Sequence, residues 1–408
     1  MNKEYLKKYA KLIAQVGAKV QKNEEVWINA DLDQPDFVVM VMEECYKSGA
    51  KKVVVKWSYP KTAIVTYKYG KVSALAKMAN YEKARLKYMS TKFPTQIHII
   101  SDDPDGLKGI NQAKMAKVRM KTYPIIKPYR DKMEDKYKWC IAAVPGVGWA
   151  KKVFPHLNAE EAVEALWEAI FKTTRINEND PVDNWDKHNA FIHNQRAKLN
   201  DLHLSKLIYH SENGTDFEVE LIKDSQWGGG FDVLHDGRAY NPNLPTEEIF
   251  ISPYAGKCSG TLVASKPLSY NGELIEDFSL TFTDGKVSEV KAKKNQALLE
   301  QMVSLDEGAK MLGEVALVPF NSPINETGIL FYNTLFDENA CCHFAIGAGF
   351  PMTLKDAASL TPEQIKERGI NESMTHVDFM IGTSDLSIVG VTEDGKQVQI
   401  FKDGTWAL

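Results

Sequence analysis

The chain has 408 residues, 44% of them hydrophobic and 25% charged, which is the balance of a soluble globular protein of two or three domains and excludes a disordered chain. Fifty Lys and Arg stand against 54 Asp and Glu, a formal net charge of -4, so nothing here provides the basic excess that holds a protein to nucleic-acid phosphates. The five cysteines, Cys45, Cys140, Cys258, Cys341 and Cys342, are odd in number and lack C-x-x-C spacing, which argues against a disulfide framework and for the cytoplasm.

The opening stretch MNKEYLKKYAKLIAQVGAKV interleaves lysines with apolar residues at helical spacing, unlike a secretory signal. No later run reaches the roughly 18 apolar residues of a membrane span. The spacing predicts a helix over 5–20, a strand over 25–30, a helix over 37–47 closing at Gly49, and a β-branched strand over 52–56. Helical periodicity follows over 72–89, a strand over 96–100, a helix over 109–122 and a strand over 139–144. This alternation predicts a parallel sheet covered by helices, and no G-x-G-x-x-G follows any of its strands, which disfavours a dinucleotide site.

Asn158 and Glu161 form a capping-box pair ahead of a helix over 159–173, and Pro181 opens a second helical run towards Leu202. Beyond it the character changes to short strands and turn pairs: a strand over 217–222, Gly228-Gly229-Gly230, Asn271-Gly272, Asp284-Gly285, Asp394-Gly395 and Asp403-Gly404. These are hairpin signals. The expected organisation is an α/β N-terminal domain over 1–200 with a mainly parallel sheet, and a C-terminal α+β domain over 201–408 rich in antiparallel strands. The lysines of 286–294 read as a solvated face.

The chemistry concentrates in the second half. Glu314 interrupts an otherwise apolar run over 312–318, and a lone buried carboxylate costs about 3–5 kcal/mol unless it is paired or metal-bound. His376 and Asp378 precede Phe379, Met380 and Ile381; on a strand, their spacing of two aims both at one face. Glu338 and His343 stand in FDENACCHFAIG, and Glu248 follows Glu247 in NPNLPTEEIF. Each has a plainer explanation: Glu248 as the charged start of an edge strand, Glu338 as a turn residue, His343 as a satisfied core histidine, His376 and Asp378 as a local hydrogen-bonded pair. Their conjunction favours a metal centre. Four carboxylates and two imidazoles without a thiolate set exceed the needs of one zinc and suit two divalent ions sharing a carboxylate.

The same segments resemble the thermophilic-type metalloaminopeptidases, the family of aminopeptidase T, aminopeptidase S and PepS. The resemblance runs through NPNLPTEEIF, LGEVALVP at 312–319, LFYNTLFDENA at 330–340 and HVDFMIG at 376–382, and extends to WCIAAVPGVGWAKKVFP at 139–155 and the closing DGTWA. It implies a metal-dependent aminopeptidase acting through a dinuclear metal-bound water on peptides with a free N-terminus. It further implies a homodimer, two ions per chain (zinc, cobalt or magnesium), and the ligands Glu248, Glu314, Glu338, His343, His376 and Asp378, with Glu314 also catalytic. The family's tyrosine seven residues after the first histidine is Phe350 here. That departure keeps open a non-catalytic peptide-binding or scaffold protein beside the alternative of another dinuclear hydrolase.

Overall fold

The structure, a computed structural model, describes residues 2–101 and 103–408. The chain divides into two compact units: residues up to Asp186 with Phe231–Pro245, and Lys187–Gly230 with Thr246–Leu408. The division falls inside the helix Pro181–Asp201.

The first unit carries a five-stranded sheet in the order Lys52–Ser58, Glu25–Asp31, Thr95–Ile100, Trp139–Ala143, Asn243–Leu244, every pairing parallel. Its last strand comes from the segment that returns after Phe231. Helices bury an aromatic core beside it: Phe37 and Trp167 lie 5.2 Å apart, Trp167 and Phe171 5.4 Å, and the Tyr9 hydroxyl donates to the Ala143 carbonyl at 3.1 Å. The helix Ala159–Thr173 begins with the expected box, the Glu161 amide donating to Asn158 Oδ1 at 3.0 Å and the Asn158 amide to Glu161 Oε2 at 3.1 Å.

Two helical expectations need correction. The helix expected to stop near Thr122 runs as Gln112–Met133 through Pro124 and Pro128. Both prolines are exposed and four residues apart, so the carbonyls they leave unbonded fall on one solvent-facing side where water satisfies them. The run over 72–89 divides into Val72–Leu75 and Asn80–Lys92, and a further helix, Pro60–Tyr69, precedes it. That helix buries none of its residues, so it has no apolar stripe to betray it.

The second unit stacks two antiparallel sheets. One has nine strands; the other has four, in the order Ile249–Ile251, Leu312–Leu317, His343–Gly347, His376–Met380. Alternation gives the smaller sheet two different faces. Ile249, Ile251, Val315, Leu317, Phe344, Ile346, Val377 and Phe379 belong to the buried core shared with the larger sheet. Phe344 meets Tyr209 at 5.1 Å and Phe217 at 5.4 Å, and Phe379 meets Phe278 at 6.0 Å. The turns at Asn271-Gly272, Asp284-Gly285 and Asp403-Gly404 join strand pairs with positive φ at both central residues, the geometry that follows strand twist. Gly228-Gly229-Gly230 is no hairpin turn. Gly228 bridges to Phe250, and a Cβ on Gly229 would stand 2.3 Å from the Glu248 carbonyl oxygen, so the tract lets backbone pack against backbone.

Candidate metal centre

The other face of the four-stranded sheet gathers the polar residues. In register, Glu314 lies opposite Ala345, which lies opposite Asp378; His376 lies opposite Gly347, and His343 stands between Ala316 and Met380. The middle strand therefore offers small residues where its neighbours offer carboxylates and an imidazole. A bulge between Leu312 and Glu314 returns Leu312 to the core while Glu314 faces away from it, and Gly313 permits it: a Cβ there would stand 2.3 Å from the Ala348 carbonyl oxygen.

Two donor triads result, Glu248 with Glu314 and His343, and Glu314 with His376 and Asp378, the donor atoms of each within 4.8 Å of one another. Glu314 belongs to both. His376 Nε2 lies 3.1 Å from Glu314 Oε2 and 3.2 Å from Asp378 Oδ1, and His343 Nε2 lies 3.4 Å from Glu248 Oε2. Glu314 is 3% exposed and His343 1%, so charged groups meet here with little water to screen them. Glu338 stands on the single helical turn before the third strand and borders a cavity together with Asp378, Met380 and Leu268. Neighbouring Glu247 faces away, its Oε1 3.9 Å from His188 Nε2, so the alternation of the chain separates the two adjacent glutamates.

Electrostatics records the crowding. Burial, partly offset by the His376 hydrogen bond and reinforced by the charges of Glu248 and Asp378, raises the Glu314 carboxyl to about 7. Burial and the charges of Glu248, Asp378 and Glu314 push Glu338 well above its usual range. Burial opposes charge on His343, but Glu248, Glu314 and Asp378 outweigh it and raise the imidazole to about 9. For His376 burial is likewise overcome by Asp378 and Glu314, giving about 11. Burial would raise Asp378, yet His376 and His343 hold it below the ordinary carboxylate value.

The residues fit a divalent cation. Asp378 Oδ1 is buried and accepts no well-aligned hydrogen bond among the described residues, with only His376 Nε2 at 3.2 Å beside it, which leaves it free to ligate a cation. His376 Nδ1 donates to the Ala348 carbonyl at 2.7 Å, which in the neutral tautomer leaves the Nε2 lone pair facing Glu314 and Asp378. Oxygen and imidazole donors without thiolate suit hard to borderline ions.

Several residues around the centre escape sequence reasoning. Asn339 accepts the Glu247 amide at 2.7 Å, His188 Nε2 meets the Thr246 carbonyl at 2.7 Å, and Ser252 Oγ accepts the Phe350 amide at 2.7 Å. The Phe350 ring lies 4.9 Å from the His376 ring and 5.2 Å from that of Phe250, so the position of the expected tyrosine does border the cluster.

A sheet face bearing this donor set describes a metallohydrolase centre, and comparison with known proteins agrees. The family model described as thermophilic metalloprotease (M29) matches residues 2–406, and the chain belongs to that family; it is a metallopeptidase. Aminopeptidase AmpS of Bacillus subtilis is 40% identical over 403 residues, 98% of each chain, and aminopeptidase 2 of Geobacillus stearothermophilus is 38% identical over 98% of this chain and 97% of its own. The solved structure of wild-type AmpT from Thermus thermophilus superposes with a TM-score of 0.91 at 34% identity, covering 100% of both chains. No helix among the described residues is long and apolar enough to cross a membrane.

Proposed function

We propose that this metallopeptidase is an aminopeptidase that removes N-terminal residues from peptides and holds two divalent ions in the cluster. The observation that carries the reading is the membership of Glu314 in both triads, the placement of a shared carboxylate. Glu248, Glu314 and His343 would hold one ion, Glu314, His376 and Asp378 the other, with Glu338 completing the set. Two imidazoles favour zinc or cobalt, while the carboxylate majority keeps magnesium in the comparison. When bound, the ions supply Lewis acidity towards the scissile carbonyl and lower the pKa of an attacking water.

The chain's own part is to hold charge in place. Glu314, set between the two imidazoles and common to both triads, is the carboxylate that would hold both ions at a fixed separation, its catalytic role. Buried Phe344 and Phe379 fix the sheet behind the donors. The family resemblance supports a homodimer, and the five free cysteines support a reducing, cytoplasmic setting.

The test is a metal-stripped protein reconstituted with zinc, cobalt or magnesium and assayed on aminoacyl-anilides and their N-acetylated forms. Turnover restored near two equivalents and confined to free amines is the expected result. Equal cleavage of N-acetylated forms would instead show another dinuclear hydrolase. Bound metal with peptide binding but no turnover would instead show a non-catalytic peptide-binding or scaffold protein, the alternative raised by the phenylalanine at 350. Light scattering that finds an active monomer overturns the dimer.

A further inference from the structure

Glu248 and Glu338 come from separate elements, one from the entry of the strand Ile249–Ile251 and the other from a single helical turn 90 residues on by the numbering. Neither element is long enough to fix its own side chain. One buried side chain bonds to Glu338 itself and to the residue before Glu248. Asn339, with none of its surface exposed, accepts the Glu247 amide on Oδ1 at 2.7 Å, while its Nδ2 donates to the Leu335 carbonyl at 3.2 Å and, more weakly, to Glu338 Oε1 at 3.4 Å.

The partners determine which way the amide faces: an N–H must meet the oxygen, and a carbonyl and a carboxylate must meet the nitrogen. Of side chains this size only asparagine satisfies all three. Aspartate would place a negative charge beside Glu338, and leucine would leave the Glu247 amide and the Leu335 carbonyl unbonded in a dry site, each at about 1–3 kcal/mol. The residue before Glu248 is thus tied through one amide group to the turn that carries Glu338.

The same loop is held from its other side. His188 Nε2 meets the Thr246 carbonyl at 2.7 Å, and Gly229 lies against the Glu248 carbonyl, where a Cβ would stand 2.3 Å away. Thr246, Glu247 and Glu248 are therefore constrained residue by residue, and Asn339 is the constraint that also reaches a second carboxylate.

We infer that Asn339 is a positioning residue that sets the spacing of the Glu248 and Glu338 carboxylates and thereby the affinity for divalent ions. The inference rests on the two-ion reading of the cluster. Outer partners of metal ligands typically contribute 10–100-fold in affinity.

The test compares Asn339→Ala with Ser322→Ala in the full-length protein. Ser322 Oγ donates to the Ala340 carbonyl at 2.7 Å, so its loss loosens the same segment without touching either carboxylate. Cobalt(II) alone is titrated into metal-stripped protein against a chromogenic chelator, and metal-free melting temperatures are recorded in parallel. Asn339→Ala should weaken cobalt binding 10–100-fold, while Ser322→Ala lowers the melting temperature and leaves affinity within about threefold. Equal weakening in both variants, or wild-type affinity in Asn339→Ala, overturns the inference and leaves the metal reading intact. Should Asn339→Ala fail to fold, Asn339→Ser, which is smaller and loses the reach to Glu338, is titrated in its place under the same criteria. A wild-type protein that binds no cobalt, zinc or magnesium overturns the metal reading itself, and the inference with it.

Discussion

Nε2 of His376 lies 3.1 Å from Oε2 of Glu314 although their strands are not neighbours in the sheet. Strands two places apart are separated by roughly 9–10 Å, so the two side chains meet only by leaning over the strand between them. That strand presents Ala345 and Gly347 at the crossing. Small residues there are as much a part of the centre as the donors.

A branched side chain at 345 tests this directly. Ala345 is fully buried between Glu314 and Asp378, and Ala345→Leu would drive them apart while leaving Phe344 and Ile346 on the core face. Overpacking of this kind costs about 1–3 kcal/mol, a loss that a domain of this size tolerates. The expected outcome is a folded protein by circular dichroism with divalent-ion affinity and peptidase activity reduced at least a hundredfold. Unchanged metal titration would show that the two triads do not meet across this strand.

The metal-free centre should compete with the ions through its protons. Glu248, Glu314 and Asp378 raise His343 to about 9, and Asp378 and Glu314 raise His376 to about 11, despite burial acting against both. Against an unfolded value of 6.5, these imidazolium pairs stabilise the metal-free fold fully below pH 6.5 and lose that contribution as pH climbs through about 9 and then about 11. Glu314, raised to about 7, acts in the same direction, because the metal-free fold favours its protonated form and loses that advantage as pH rises from the ordinary carboxylate range through 7. Ligation needs these groups deprotonated. Metal uptake near pH 7.5 should therefore release protons, and the rise in melting temperature at saturating zinc should grow between pH 6.5 and 9. Calorimetry in buffers of differing ionisation enthalpy checks the first, and a shift that is flat with pH would contradict the second.

Much of this centre is written locally in the sequence. Glu314 breaks an apolar strand, and His376 with Asp378 repeats at the period of a strand ahead of apolar residues, so their common face follows from pleat geometry alone. The parallel and antiparallel halves are legible for the same reason, since each strand carries its own pattern. Asn339 and His188 are not, because their partners lie 92 and 58 residues away and a single buried amide or imidazole has no periodicity. Gly228-Gly229-Gly230 misleads in the opposite direction: glycine marks both a turn and a close backbone approach, and only the neighbouring strand distinguishes them. Pro60–Tyr69 buries nothing, and a helix without a buried face leaves no stripe to read.

Phe350 offers a test of the site's reach. Its ring lies 4.9 Å from the ring of His376, and its amide is fixed by Ser252 Oγ at 2.7 Å, so the backbone that would carry a phenol is already anchored. Phe350→Tyr adds one hydroxyl to a half-buried ring and removes none of the donors. Metal affinity should stay within about threefold, the melting temperature should fall by no more than a few degrees, and kcat should rise if the phenol meets the reacting carbonyl. A lower melting temperature with unchanged kcat would show the hydroxyl standing unpartnered and Phe350 serving as packing for His376.

Asp378→Asn makes the sharpest demand on the site. Asp378 Oδ1 is buried without a well-aligned hydrogen bond and stands 3.2 Å from His376 Nε2, and the substitution keeps the side chain's shape while removing its charge. Its neighbours Phe379 and Met380 are 1% and 3% exposed and pack as before, so the fold should persist. Asp378 is held below the ordinary carboxylate value by His376 and His343, so removing its charge breaks an imidazolium pair and the metal-free melting temperature should fall modestly. The loaded protein should lose more: a neutral amide is a poor ligand, so ion affinity should fall at least tenfold and peptidase activity by orders of magnitude. A surface hydrogen-bonding aspartate would give a change within about 0.5 kcal/mol and near-normal catalysis. The pair of measurements, melting temperature with and without zinc together with peptidase kinetics, separates the two. Wild-type values in both would falsify Asp378 as a metal ligand and, with it, the second triad.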